Sequence, residues 1–267
     1  MMTSSPWSWS KSGTDVKSIA SFCLLGLLLA ARAWAGGAEV FATATNVFAH
    51  ATAVSYRHLN APGAEQVRTN AQGACLSSND CSGFVSYVLS QCAPRALASV
   101  QALDTKYKHP RARFYAAFFQ GLATNHTANG WQTVADWRDL KVGDIIAWAS
   151  TPRTNATTKK VSSSGHAAII AAPPGAPQVE TVAGKPHKFT TIRVLDSSSV
   201  KHFAPEVYPP LAHQTERNGL GYGNIKLWLD EHDKVIGYWE GTWWGEGKKE
   251  ITRPSHGIAL GFGRVAD

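Results

Sequence analysis

The sequence predicts an α+β fold in which helices come first and an antiparallel β-sheet follows. Up to about residue 140 the chain carries apolar residues at helical spacing, and beyond it carries short apolar or alternating runs separated by turns. Strands that follow one another without intervening helices favour an antiparallel sheet over a doubly wound parallel one. With 267 residues, 44% of them hydrophobic and 17% charged, the chain is able to bury a globular core.

The first 35 residues are predicted to be an export signal. Lys11 and Lys17 precede an apolar stretch at residues 19–31, and residues 33–35 (Ala-Trp-Ala) offer small side chains at both positions that signal peptidase reads. A membrane-spanning helix needs roughly 20 apolar residues, and this stretch is shorter. We therefore expect cleavage after residue 35, no stable membrane span afterwards, and a secreted or periplasmic bacterial protein. A retained N-terminal anchor is the alternative.

Composition and motifs exclude several classes of function. Removing residues 1–35 takes away three basic residues and one acidic residue, so the formal net charge falls from +7 to +5. No dense Lys/Arg block or nucleic-acid motif is present, and no nucleic-acid partner is expected. The histidines lack paired ligand spacing and no Cys-x-x-Cys occurs, so neither a metal nor a cofactor is expected. A phosphate-binding loop and a Gly-x-Ser-x-Gly elbow are also missing from the sequence.

The first half of the mature chain divides into four predicted segments. Helical spacing runs over residues 38–59, and residues 61–79 are rich in Gly, Asn and Ser, which predicts a loop. Residues 81–92 predict a helix with Asp80 as its N-cap. Residues 93–140 are expected to be helical and irregular, with a short helical turn around Trp131, Val134 and Trp137. The apolar face of the second helix is expected to comprise Phe84, Val85, Val88 and Leu89.

The second half predicts strands. The first three are expected at residues 145–148, 166–172 and 189–195. Exposed loops are expected at residues 150–164 and 197–223, and the glycines of residues 219–223 suggest a flexible turn. Further strands are expected at residues 224–229, 235–239 and 257–264.

Cys81 and His166 are the candidate nucleophile and base. Cys81 would begin the predicted helix, where the helix dipole and free backbone N–H groups stabilise a thiolate and can hold an oxyanion. His166 begins a strand-like element, and the fold rather than the spacing would bring the two together. Each residue alone has an ordinary alternative, namely an inert buried cysteine and a hydrogen-bonded histidine at a strand start.

Three motifs in order carry a family resemblance. Asn-Asp-Cys-Ser-Gly-Phe-Val at residues 79–85, Leu-Lys-Val-Gly-Asp-Ile-Ile at residues 140–146 and Gly-His-Ala-Ala-Ile-Ile at residues 165–170 resemble the NlpC/P60 family of papain-like cysteine peptidases and amidases. The matching motifs span residues 80–172. The resemblance implies a papain-like fold with Cys81 as the nucleophile and His166 as the general base.

The resemblance also implies a third polar group that orients the histidine from the next strand. Asp196 occupies that place, where the family more often carries His, Asn or Gln, and a carboxylate can accept the base's other N–H. Two alternatives stay open: Asp196 could cap the following turn, and His202 is the second candidate for the orienting group. The residues implied to contact substrate are Asp80, Ser82 and Gly165.

Three cysteines remain after cleavage at residue 35. An odd number in an oxidising compartment suggests one disulfide and one free thiol. If Cys81 is the nucleophile, the disulfide would join Cys75 and Cys92, which would pin the loop before the helix to the helix end. Three free thiols are the alternative.

The predicted function is that of an exported cysteine hydrolase acting as a monomer on an amide bond of peptidoglycan stem peptide, or on another peptide or amide. One domain is expected at residues 36–267, with an insertion at about residues 93–140 and additional C-terminal strands. The Trp-rich run at residues 238–244 is expected to be a hairpin packed on the core, with stacking on sugar rings as the alternative. Alternative functions are a non-catalytic cell-wall or glycan-binding protein, or an acyltransferase or lipid amidase.

Overall fold

The computed structural model describes ten stretches of the chain. The predicted export signal, the predicted loop at residues 150–164 and most of the Trp-rich run lie outside the described residues. Within the described stretches, no helix is long and apolar enough to cross a membrane. The stretches comprise residues 36–58, 67–71, 75–107, 109–122, 127–149, 165–182, 184–199, 202, 219–240 and 259–266.

Helices are concentrated in the first half of the described chain. The α-helices are α1 (Gly37–His50), α2 (Cys81–Cys92), α3 (Pro94–Gln101) and α4 (Ala112–Gly121), and a 3-10 helix spans Trp137–Asp139. The structure confirms the predicted helix at residues 81–92 with Asp80 as its N-cap. Its apolar face is fully buried, at Phe84, Val85, Val88 and Leu89.

The described strands form two sheets. In chain order the strands are β1 (Ala51–Tyr56), β2 (Val67–Thr69), β3 (Cys75–Asn79), β4 (Thr127–Ala128), β5 (Trp131–Thr133), β6 (Ile145–Ala149), β7 (Gly165–Ile170), β8 (Gln178–Val182), β9 (Lys185–Ser198), β10 (Gly219–Leu229), β11 (Val235–Glu240) and β12 (Ala259–Val265). The large sheet has the order β11-β10-β9-β7-β6-β12-β5-β4, with β8 paired to β9. All of its neighbouring strands are antiparallel. The α+β class with a mostly antiparallel sheet is therefore confirmed.

The large sheet is buried on both faces in its centre. Along β6, Ile145 and Ala147 join the apolar cluster that includes α1, α2 and α4, whereas Ile146 and Trp148 join a second cluster with β9 and β10. Successive side chains of a strand point to opposite faces. A strand buried on both faces carries a continuous apolar run, which explains the unbroken Ile-Ile-Ala-Trp pattern of β6.

The segment before Cys81 differs from its prediction. The helix expected over residues 38–59 ends at His50, and the chain continues as β1. β1 pairs in parallel with β3, and β2 pairs with β3 in antiparallel orientation, so two strands lie within the predicted loop at residues 61–79. Ala51 and Val54 happen to continue the helical spacing, but pairing with a strand distant in sequence determines their conformation.

The glycine cluster at residues 219–223 was predicted to be a turn and instead opens β10. Every residue from Gly219 to Gly223 is paired with β9. The predicted strand at residues 189–195 accordingly extends at both ends to form β9, and β8 was not predicted. Trp131 lies in β5 rather than in a helical turn, while Trp137 begins the 3-10 helix.

Candidate active site

Cys81 is the first residue of α2 and follows β3 by one residue. The backbone of Asp80 is extended, and its Oδ1 accepts the N–H of Gly83 at 2.7 Å and the hydroxyl of Ser82 at 3.2 Å. This N-cap fixes where the helix begins, and the first backbone N–H groups point outwards from the N-terminus of the helix. Cys81 is only 5% exposed, so its thiol lies inside the site rather than on the open surface.

The second oxygen of Asp80 binds a histidine. His58 Nδ1 lies 2.7 Å from Asp80 Oδ2. Burial acts to raise the pKa of Asp80, but the hydrogen bonds from His58 and the Gly83 N–H outweigh it and keep that pKa below its ordinary value. The same hydrogen bond raises the pKa of His58 above its usual 6.5. At mildly acidic pH the two side chains form an ion pair at the start of α2.

Gly165 allows the strand that carries His166 to approach β6 closely. A Cβ at Gly165 would lie 2.1 Å from the carbonyl oxygen of Trp148, and its φ of +153° suits glycine. Gly165 pairs with Ala149, and His166 pairs with Trp148. The imidazole of His166 lies against the Trp148 indole with ring centroids 5.0 Å apart. The glycine therefore sets the position of the candidate base.

His166 interacts with both Cys81 and Asp196. Its Nε2–H donates to Asp196 Oδ2, which leaves Nδ1 for the hydrogen bond with the Cys81 side chain. Burial acts to lower the pKa of His166, but the negative charges of Cys81 and Asp196, with the hydrogen bonds to both, raise that pKa well above 6.5. The raised pKa favours the protonated, imidazolium form of His166 at neutral pH.

Asp196 lies within β9 and is fully buried. Its Oδ1 is 2.6 Å from His202 Nε2, so each carboxylate oxygen has a histidine partner. Burial acts to raise the pKa of Asp196, but the charges of His202 and His166 and their hydrogen bonds lower that pKa far below its ordinary value. Because β9 continues through Ser198, the alternative that Asp196 caps a turn is wrong.

Asp196 and His202, the two candidates for the orienting group, therefore follow one another in a series of hydrogen bonds that begins at His166. Asp196 contacts His166, and His202 contacts Asp196 from the other side. Sequence reasoning did not find Gly221, which pairs with Asp196 across the strands and makes room for His202. It also missed the hydrogen bond from Ser197 Oγ to the Asn79 carbonyl at 2.8 Å, which joins β9 to the strand leading into Cys81.

Three residues predicted to contact substrate help to build the site. The Asp80 side chain caps α2, Ser82 is buried and donates to Asp80, and Gly165 is buried within β7. Their observed contacts position Cys81 and His166. Direct contact of these three residues with a substrate stays a prediction.

The predicted disulfide between Cys75 and Cys92 is not formed, and both thiols are free, as is that of Cys81. The Cys92 Sγ–H donates to the Val88 carbonyl at 3.2 Å and also meets Thr43 of α1. Cys75 lies on β3 close to Tyr87. The thiols of Cys75 and Cys92 therefore have different neighbours. Burial raises the pKa of Cys75 and raises that of Cys92 to about 11. These two cysteines are therefore expected to be poor nucleophiles at neutral pH.

No group of three or more His, Cys, Asp or Glu side chains in the described stretches is arranged to hold a metal ion. Comparison of the chain with protein-family models, with curated proteins and with solved structures finds no match.

Proposed function

We propose that this chain is an exported, papain-like cysteine hydrolase that cleaves an amide bond in the peptide of peptidoglycan. The observation that carries the proposal is the series of contacts from Cys81 through His166 to Asp196, beside the N-terminus of α2. The resemblance of the motifs in residues 80–172 to the NlpC/P60 family supports the same roles and suggests the substrate class.

In the first half of the proposed reaction, the Cys81 thiolate attacks the carbonyl carbon of the amide. The carbonyl oxygen becomes an oxyanion, and the His166 imidazolium donates its proton to the leaving amine as the C–N bond breaks. The products of this half are a free amine, an acyl-thioester on Cys81 and a neutral His166.

In the second half, neutral His166 takes a proton from water, and the resulting hydroxide attacks the thioester. Collapse of the second tetrahedral intermediate releases the carboxylic acid and regenerates the thiolate beside a protonated His166. Asp196 accepts the Nε2–H throughout, which keeps Nδ1 directed at Cys81 and stabilises the imidazolium.

The start of α2 supplies candidate donors for the oxyanion. The N–H of Gly83 is bound by the Asp80 side chain, and the N–H of Phe84 is bound by the Asp80 carbonyl. We assign the N–H groups of Cys81 and Ser82 as the oxyanion donors, because they precede these bonded groups in the first turn.

The first test measures the thiol itself. With Cys23, Cys75 and Cys92 replaced by serine, alkylation by iodoacetamide reports on Cys81 alone. We expect rapid labelling well below pH 8.5, the usual pKa of a cysteine, and loss of that low-pH reaction in His166→Ala. Slow labelling at the same rate in the wild type and in His166→Ala would refute the pairing of Cys81 with His166 and favour the non-catalytic wall-binding alternative.

The second test measures hydrolysis. Purified peptidoglycan fragments are incubated with the wild-type chain and with Cys81→Ser, and new amino groups are quantified by mass spectrometry. We expect release by the wild type and none by Cys81→Ser. A reactive Cys81 without release from peptidoglycan would contradict the substrate class alone, and turnover of a lipid amide or acyl transfer would identify the other enzymatic alternative.

A further inference from the structure

We infer that His202 is a positioning residue that holds the Asp196 carboxylate for His166, so that the site has a fourth member beyond the cysteine, the base and the carboxylate. The inference rests on the proposed function, because it assigns His202 a part in the same reaction. The geometry points to this role through the contacts of His202 with Asp196 and with Gly221.

The two histidines share one carboxylate from opposite sides. Asp196 Oδ2 accepts from His166, and Oδ1 accepts from His202 Nε2 at 2.6 Å. An ionised carboxylate only accepts hydrogen bonds, so Nε2 of His166 and Nε2 of His202 must both carry a hydrogen and donate it. With one donor on each oxygen, the carboxylate cannot rotate about its terminal torsion without breaking a hydrogen bond.

Burial makes the second donor necessary. Asp196 is fully buried and the His202 side chain is only 8% exposed, so little water can replace a lost partner. A buried carboxylate with too few partners either takes up a proton or moves towards another donor. Either change would remove the fixed negative charge that orients and stabilises the His166 imidazolium.

Gly221 provides the space that His202 occupies. A Cβ at this position would lie 2.5 Å from His202 Cγ and 2.6 Å from its Cβ. Gly221 is paired with Asp196 in the sheet, so the absent side chain lies beside the carboxylate that His202 must reach. The glycine is required here for the room it leaves against the imidazole.

The test compares two substitutions of His202. His202→Gln can place an amide N–H near the position of Nε2, whereas His202→Leu fills similar space without a donor. We expect alkylation of Cys81 at pH 6 to fall about tenfold or more in His202→Leu, by analogy with the 10- to 100-fold cost of removing a partner that orients a metal ligand. His202→Gln should retain the wild-type rate within about threefold.

The pH profile of the folded variants tests the positioning role. Without the His202 donor, Asp196 takes up a proton at higher pH, and His166 then loses its anionic partner. The acidic limb of the Cys81 alkylation profile should therefore move to higher pH in His202→Leu and return towards its original position in His202→Gln. Circular dichroism over the same pH range must show that each variant is folded, because an unfolded chain would be alkylated with the pH profile of an ordinary thiol.

A second approach displaces His202 without changing it. Gly221→Ala should reproduce the shifted profile, and combination with His202→Leu should add little because both changes break the same contact. Gly121→Ala is the matched control, since no atom lies within 4 Å of a Cβ built there. If His202→Leu fails to fold, Gly221→Ala and His202→Gln decide the question.

Two negative results have different meanings. In the first case, the wild-type chain shows rapid, His166-dependent labelling, and Gly221→Ala and His202→Leu keep the wild-type pH profile. The role of His202 is then refuted while the proposed function stands. If the wild-type chain itself lacks His166-dependent labelling, the proposed function fails first, and the inference on His202 fails with it.

Discussion

Two carboxylate–histidine pairs flank Cys81, and they differ mainly in burial. In the first pair, the side chain of His58 is 60% exposed and that of Asp80 is 17% exposed. In the second pair, His166 is 13% exposed and Asp196 is fully buried. Both carboxylates accept a histidine N–H, and both histidines have a raised pKa.

The difference in burial determines what each pair can do. Around the exposed pair, water and salt screen the charges, so the pair contributes little energy and Asp80 acts mainly through its cap of α2. In the buried pair, solvent cannot replace a lost partner, so the protonation of each group depends on its neighbours. Residue identity alone would have assigned both pairs the same chemistry.

The largest expected effect comes from the same substitution in both carboxylates. Under the proposed function, Asp196→Asn should reduce hydrolysis by about 10³- to 10⁴-fold, because an amide can hold His166 in the wrong tautomer, as in serine proteases. Asp80→Asn should change the rate by about threefold or less, since asparagine is an equally good N-cap. Steady-state rates on peptidoglycan fragments, with circular dichroism to check folding, measure both variants.

Comparable losses in the two variants would show that the exposed pair is also part of the reaction. A folded Asp196→Asn variant with the wild-type rate would contradict the orienting role of the buried pair.

A second prediction concerns Gly165, which sets the position of His166. Gly165→Ala should lower Cys81 alkylation at pH 6 by about tenfold or more and destabilise the chain, because its Cβ would collide with the Trp148 carbonyl. Gly175→Ala is the matched control, since a Cβ there would meet only the Thr191 carbonyl oxygen at 3.6 Å. Equal alkylation rates and melting temperatures in the two variants would refute this explanation of Gly165.

A third prediction concerns the N-cap that Asp80 provides beside Cys81. Asp80→Ala removes the acceptor of the Gly83 N–H and should lower the free energy of unfolding by about 1 kcal/mol. Asp80→Asn should recover most of that loss. Urea denaturation at neutral pH measures the three chains, and equal stability of the alanine and asparagine variants would contradict the capping role.

The smallest expected effect belongs to the exposed histidine. His58→Gln should lower the free energy of unfolding by at most about 1 kcal/mol. The raised pKa of His58 means that its contribution is present below about pH 6.5 and is lost as the pH rises through the folded pKa. The lowered pKa of Asp80 means that its contribution is present above about pH 3.9 and is lost as the pH falls through the folded pKa.

The two windows overlap between about pH 4 and 6.5, so urea denaturation is compared at pH 5.5 and pH 8.5. We expect wild type and His58→Gln to differ at pH 5.5 and to agree at pH 8.5. A difference that grows with pH would contradict the sign of the raised pKa.

Local signals predicted the part of the site that surrounds Cys81. The N-cap type of Asp80 and the apolar spacing from Phe84 to Leu89 lie within one helix, so the sequence alone located α2 and its first residue. The continuous apolar run likewise located β6. These features depend on neighbours a few positions away in the sequence.

Contacts between distant residues account for what the sequence did not predict. The parallel pairing of β1 with β3 overrides the helical spacing of Ala51 and Val54. The glycines of β10 resemble a turn in sequence because glycine is uncommon inside strands, yet Gly219 lies close to Ser55 and Gly221 lies close to His202. The hydrogen bond between Asp196 and His202 also could not be found without their positions in three dimensions.

The hydrogen bond between Ser197 and Asn79 has a consequence for the order in which the protein folds. It joins residues 118 positions apart, and bringing such distant segments together costs loop-closure entropy and slows folding. Under the proposed function, a chain whose β9 has not yet docked carries a cysteine with no more than ordinary reactivity. Docking of β9 is then the folding step that makes the thiol reactive, which limits hydrolysis by incompletely folded chains.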